Sequence, residues 1–411
     1  MNEVRRIIVG RTVRAFADGF VAVLLARYLT DLGFSPLQVG AIVTGTLLGS
    51  AALTLGFGFR SRRTSLAALL VAASVLMVAT GAAFGTVTAF WPLLLIAVVG
   101  TLNPSGGDVS VFLPTEQAYL ADLVEGEART RLYARYNLAA VFAGAIGALA
   151  SGLPERIAAA GHWSLLTVER LGFVGYAGAG LVIFVLYRPL PRRTAAVGKP
   201  ASDGPGRVAP GSRRTGLGRY RHIVVQLAAL FGIDSAGSGF VGTSLLVLWL
   251  HLRFGLGRDA TAAVFFAAGL LGACSQLAAP MLARRIGMIR TMAYTHIPAN
   301  LMLATAALVP NAPAAIALLL GRALFAQMDV PARQAFVMAV VPAEHRAAAS
   351  SITNVPRSLA AAGTPLAAGA LLSVTSFGWP LIIAGVTKLA YDLTLLALHR
   401  NTPESVADVA P

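Results

Sequence analysis

The chain has 411 residues, 56% hydrophobic and only 12% charged, with 33 Lys and Arg against 18 Asp and Glu for a formal charge of +15. A mean hydropathy of +0.71 excludes a soluble globular domain, which would need far more polar surface, and places the sequence among membrane proteins. The positive charge lies in short clusters between apolar runs rather than on one face of a polar domain, so it reads as a topology signal and not as a nucleic-acid footprint.

At about 20 residues per span, the apolar runs divide into about twelve segments, six before residue 189 and six after residue 219. The N-terminal "MNEVRRIIVGRTVRAFADGF" reads as a retained first helix, because Arg11, Arg14 and Asp18 interrupt the clean apolar core that a cleaved signal requires. These three charges fall on one helical face. Span two ends in the basic turn "GFGFRSRRTS" with Arg60. Span four contains "NPSGG", which predicts a break or bend and freed backbone groups that could touch substrate or simply mark a packing kink. Asp108 follows that break, and Glu116 stands in "LPTEQAYLADLVEGEART", whose exit carries Asp122, Glu127 and Arg129. Span five holds the small-residue run "GAIGALASG".

The stretch "PLPRRTAAVGKPASDGPGRVAPGSRRTGLGR" cannot build a core and reads as a flexible basic linker. Beyond it, span seven carries Asp234 beside Ser235 and Ser238, and span eight contains Cys274 and ends at Arg284 and Arg285. The lone cysteine excludes a disulfide framework and predicts a small buried packing residue. Span ten carries Arg322, Asp329 and Arg333 at steps of seven and four, one helical stripe, and its exit carries Glu344 and Arg346. On the last span, Lys388 and Asp392 are four apart and are expected to neutralise each other. The expected organisation is a first six-helix bundle at 1–188, a cytoplasmic linker at 189–219, a second bundle at 220–400 and a tail at 401–411. Lys and Arg favour alternate loops, which puts both termini and the linker in the cytoplasm.

The two halves repeat. At an offset of 217, Pro114 matches Pro331, and Gln117, Ala118, Val124, Glu127 and Arg129 match Gln334, Ala335, Val341, Glu344 and Arg346. The register continues to Asn137 with Asn354 and Gly152 with Gly369. Duplicated units of this kind have to be recognised before single motifs are weighed. At the same offset Glu116 answers Arg333. The repeat therefore predicts that a carboxylate and a guanidinium face each other across the halves, as a latch that forms when the cytoplasmic side closes; pairing of each within its own half is the competing expectation.

Two six-helix halves, a long linker and basic turns after spans two and eight resemble the major facilitator superfamily of secondary transporters. The family's turn after the second helix has Gly, then Asp, then basic residues. Here Gly56, Arg62 and Arg63 hold those places with Arg60 near the Asp position, and the second copy keeps Arg285, Gly287 and Arg290 with Arg284 near that position. Asp122, Glu127 and Arg129 resemble the family's fourth-helix exit, and "GAIGALASG" resembles the small-residue run of antiporter members, which implies an efflux or antiporter-like branch. The same spacing also suits close helix packing.

The resemblance implies an all-α integral membrane protein of about twelve helices in two pseudo-symmetric bundles, with a cavity lined by spans one, four, seven and ten. An ionised side chain facing lipid is costly, so deep charges belong in such a cavity or against one another. Arg14, Asp18, Asp108, Glu116, Asp234, Arg322, Asp329 and Arg333 are the candidate substrate and proton groups. Arg60, Asp122, Glu127, Arg129, Arg284, Arg285, Glu344 and Arg346 are the candidate cytoplasmic gate. Asp18 and then Asp234 are the expected coupling acids. The only lysines, Lys199 and Lys388, stand outside any phosphate-binding loop, and the six histidines form no His-Glu-x-x-His pair. An ATP-driven pump, a metal site and a membrane enzyme are therefore disfavoured, and no cofactor is expected.

The expected function is proton-coupled export of a small amphipathic or cationic compound by a monomer in the cell membrane, since acids outnumber bases among the cavity candidates. Transport of an anionic or neutral metabolite by symport or uniport is the alternative, kept open by Arg14, Arg322 and Arg333.

Overall fold

The computed structural model describes residues 2–60, 64–105, 111–121, 123, 126–192, 221–330, 332–333, 336 and 346–399. Every regular element among them is α-helical: α1 (Glu3–Asp31), α2 (Pro36–Arg60), α3 (Leu66–Thr86), α4 (Phe90–Val99), α5 (Phe112–Ala121), α6 (Gly126–Ala150), α7 (Leu153–Gly161), α8 (Leu165–Tyr187), α9 (Arg221–Phe240), α10 (Thr243–Phe254), α11 (Arg258–Ile286), α12 (Met288–Leu308), α13 (Ala312–Ala326), α14 (Arg346–Val374) and α15 (Trp379–His399). Seven helices among the described residues are long and apolar enough to cross a bilayer. Shorter apolar helices arise where a span is broken: α4 and α5 share span four, α9 and α10 share span seven, and α13 continues into helical turns around Asp329 and Arg333. The result is an integral, multi-pass membrane protein of about twelve spans in two six-helix bundles, as the hydropathy pattern predicts.

Local chemistry sets the helix ends. Asn2, Ser65, Ser164 and Asn311 each cap an N-terminus by accepting a backbone N–H with the side chain. Gly33, Gly255 and Gly287 take positive φ angles of 88°, 65° and 88° at the turns that end α1, α10 and α11, a conformation glycine adopts without a Cβ penalty.

Small residues fix the helix spacing. A Cβ on Gly147 would strike the Phe16 carbonyl of α1, and one on Gly19 would strike Gly144. The small-residue run of span five thus packs α6 onto α1 within the first half, the packing role of its spacing. Across the halves, α2 meets α14 and α6 meets α11. A Cβ on Gly40 of α2 would sit 3.0 Å from the Gly369 Cα of α14.

Tyr119 at the end of α5 donates to Glu3 (2.7 Å) and to the Pro191 carbonyl (3.3 Å), which gathers the N-terminus and the start of the linker at one end of the molecule, the linker end. Among the described residues, hydrogen bonds and ion pairs between the halves occur only toward the opposite, far end and at mid-depth. There the span-seven break docks on the span-four break: Ser244 donates its backbone N–H (3.2 Å) and hydroxyl (3.0 Å) to the Pro104 carbonyl, and Thr243 donates to the Ser105 carbonyl (3.0 Å). The Ser244 hydroxyl also lies 2.7 Å from the Ala22 carbonyl of α1. Carbonyls freed by Asn-Pro-Ser are therefore satisfied by the other half rather than left open to substrate. Cys274 corrects another expectation, being exposed on α11 rather than buried.

Leucine at Gly147 is expected to lower the melting temperature of the purified protein in detergent by several degrees, through overpacking of about 1–3 kcal/mol. Leucine at Gly178 of α8, which has no neighbour within 4 Å of a built Cβ, should leave the melt unchanged.

Candidate functional site

Arg14 and Asp18 of α1 are placed by one helical turn, and Glu116 comes from α5 beyond the span-four break. Arg14 is 1% exposed and Glu116 is 0% exposed. Arg14 Nη2 donates to Glu116 Oε2 at 2.8 Å, Tyr187 of α8 donates to Oε1 at 2.7 Å, and the Tyr136 hydroxyl of α6 donates to Oε2. Gly10 makes this possible, because a Cβ there would lie 2.6 Å from Tyr187 Cζ. Three donors and no water contact leave Glu116 a closed anchor that ties α1, α5, α6 and α8 together.

Asp18 is held differently. Arg14 is 3.8 Å away and the Tyr176 hydroxyl 3.5 Å away, both at the outer edge of bonding distance. Tyr176 spends its better hydrogen bond on the Thr101 carbonyl at 3.1 Å.

The second half builds a larger cluster. Asp234 of α9 accepts from Lys388 of α15 at 2.6 Å and from Arg333 at 3.4 Å, and Arg333 also donates to Asp329 at 2.9 Å. Asp392 pairs with His296 of α12 at 3.2 Å and accepts from Asn300 at 2.8 Å. His296 also lies 3.9 Å from Asp234 and 3.8 Å from Asp329. Its ring is thus set among three carboxylates.

In this conformation Glu116 and Arg333 are each paired inside their own half, on counter-charges from neighbouring elements, as the competing expectation has it; a latch that forms when the cytoplasmic side closes is a property of another conformation. One expectation is corrected by this geometry. Lys388 and Asp392 do not neutralise each other; Lys388 reaches across to Asp234, and Asp392 turns to α12.

Arg322 lies on α13 at mid-span, on the stripe that leads to Asp329 and Arg333. Arg284 and Arg285 are exposed in the last turn of α11, where cations suit the helix dipole, and neither makes an ion pair among the described residues. Asp108, Asp122 and Glu344 lie outside the described residues, as do the side chains of Arg60, Glu127, Arg129 and Arg346.

A third cluster clamps the far end. Arg258, which begins α11, donates to Glu169 of α8 at 3.1 Å and pairs with Asp31 at the end of α1, so a guanidinium of the second half is buried against two carboxylates of the first. Sequence reasoning missed Arg258 and Glu169 because span ends usually carry solvated charge. It missed His296 and Asn300 because histidine was weighed only as a metal ligand, although the two are four apart on an otherwise apolar span with a proline between them.

Known proteins share the fold of this chain. Several solved transporter structures share the fold: a D-xylose–proton symporter (TM-score 0.75, 15% identity, covering 98% of this chain and 99% of that one); a mutant of the nucleoside transporter NupG (0.75, 12%, 97% and 100%); and a bacterial homologue of the human lysosomal transporter Spinster in its inward-facing, unoccupied conformation (0.70, 14%, 96% and 95%). In sequence, the chain is 23% identical to the uncharacterized membrane protein YJR124C of Saccharomyces cerevisiae, over 94% of this chain and 91% of that protein. The Major Facilitator Superfamily pattern matches residues 7–325, and the chain belongs to that family of transporters.

Proposed function

We propose that the chain is a proton-coupled secondary transporter that moves a small solute by alternating access. The observation that carries this reading is the pair of buried charge clusters, one in each half at mid-depth, beneath a far end that is held shut. Ionised groups at that depth are costly unless they serve a pathway or satisfy one another, and among the described residues the hydrogen bonds and ion pairs between the halves lie at the far end and at mid-depth. On this reading the conformation is open toward the linker end. Taken with the positive-inside distribution of Arg and Lys, it is an inward-facing state of a monomer in the cell membrane, with both termini cytoplasmic. The bundle boundaries at 188 and 220 follow from the same reading. Neither an enzymatic reaction nor a cofactor enters it.

Asp18 is the coupling acid. It faces Arg11 and Arg14 on its own helix, with Glu116, Tyr136, Tyr176 and Tyr187 arriving from α5, α6 and α8. Of the acids in the first cluster only Asp18 lacks a bond short enough to lock it, so it can exchange a proton without dismantling the bundle. In liposomes holding the purified protein, Asp18→Asn is expected to abolish the acceleration of solute movement by an imposed pH gradient and to preserve gradient-independent exchange. Unchanged gradient dependence would remove Asp18 from the coupling role.

Charge balance favours an anionic cargo over the amphipathic cation expected from the sequence. With Lys388 and Arg357 added, the deep Lys and Arg side chains among the described residues of the second half outnumber the carboxylates there.

The far-end clamp is the outer gate. Arg258→Gln leaves Glu169 buried without its cation and is expected to favour opening of the far end. A cysteine at Val247, which lines a small cavity beside Arg258, introduced into a Cys274→Ala background, should react several-fold faster with a membrane-impermeant thiol reagent in that variant. An unchanged labelling rate would show that the clamp is not the gate.

A further inference from the structure

Resting on the transporter reading, the second half also identifies where the cargo is held. Four cations of this half, Lys388, Arg333, Arg357 and Arg322, stand near three carboxylates, Asp234, Asp329 and Asp392. The carboxylates are already spoken for. Asp234 gives one oxygen to Lys388 and the other to Arg333, Asp329 holds Arg333, and Asp392 is held by His296 and Asn300.

Arg322 is left over. Its buried Nε has no hydrogen-bond partner, and the rest of its guanidinium makes no hydrogen bond or ion pair among the described residues. It stands ten residues into α13, about 15 Å along the helix, too deep for the side chain to reach an interface. Leu324, two positions on and hence on the opposite face, is exposed. The half-buried Arg322 instead shares the stripe of Asp329 and Arg333, and Asp234 of α9 is the carboxylate whose charge acts on it.

A half-buried guanidinium at this depth without a counter-ion among the described residues is a costly arrangement, and its planar fork of N–H donors matches a carboxylate or phosphate. Arg333 cannot play this part because both its acids are in place. We propose that Arg322 binds the anionic group, carboxylate or phosphate, of the transported solute, and that the solute supplies the missing counter-charge at mid-depth.

Thermal melting of the full-length protein in detergent tests this in two steps. Without any solute, Arg322→Gln should melt above the wild type, since it removes an uncompensated charge, whereas Lys388→Gln should melt below it, since it strands Asp234. With added solutes, at least one of inorganic phosphate, succinate and benzoate should raise the wild-type melting temperature. Its apparent affinity should fall about 10- to 100-fold in Arg322→Gln, as expected for a lost charge-assisted bond, and recover in part in Arg322→Lys.

The proposal is overturned if Arg322→Gln melts below the wild type in the way Lys388→Gln does, if the anion shift survives in Arg322→Gln, or if none of the three anions shifts the wild type. Wild-type exchange of tetraphenylphosphonium or D-xylose in liposomes, unaffected by Arg322→Gln, would overturn the anion site and keep the transporter. An Arg322-dependent anion shift in a protein that exchanges no bound anion would keep the site and overturn transport.

Discussion

An ionised side chain in hydrocarbon must be answered by another charge, and this requirement organises the molecule. Glu116 is answered by Arg14, takes two further hydrogen bonds from tyrosine hydroxyls, and holds four helices of the first half. Asp234 is answered by Lys388 and Arg333 and joins three spans of the second. Arg258 is answered by carboxylates that belong to the other half, so the same physics that assembles each bundle also fastens one bundle to its neighbour. Where the answer is incomplete, at Asp18 and at Arg322, the protein keeps groups whose bonding is finished by something that comes and goes.

The duplicated sequence did not produce duplicated chemistry. Glu116 and Arg333 occupy matching register positions, yet one became the centre of a tyrosine-lined anchor and the other a bridge between two aspartates. Once each half had its own counter-charges, the register no longer dictated a partner. The breaks in spans four and seven show the reverse: segments with no matching motif were brought together because each had backbone groups to satisfy.

The all-helical fold, about twelve spans and two six-helix halves were legible in the sequence, since hydropathy acts on it directly. Who pairs with whom was not. Lys388 and Asp392 are four apart on one helix, a spacing that invites a local pair, but Asp234 offers Lys388 a more enclosed partner and His296 with Asn300 offers Asp392 two donors. Such preferences depend on which helices touch. Cys274 shows the related limit: an apolar run does not reveal which of its faces meets lipid and which meets protein.

The contact between Ser244, Thr243 and the carbonyls of Pro104, Ser105 and Ala22 has a thermodynamic consequence of its own. It is made of neutral hydroxyl and amide groups, each contributing about 1 kcal/mol net, and water admitted from the far side can replace every one of them. This contact is thus specific without being strong. Two shapes of the molecule can therefore lie within a few kcal/mol of each other, the gap across which a bound solute can shift the population.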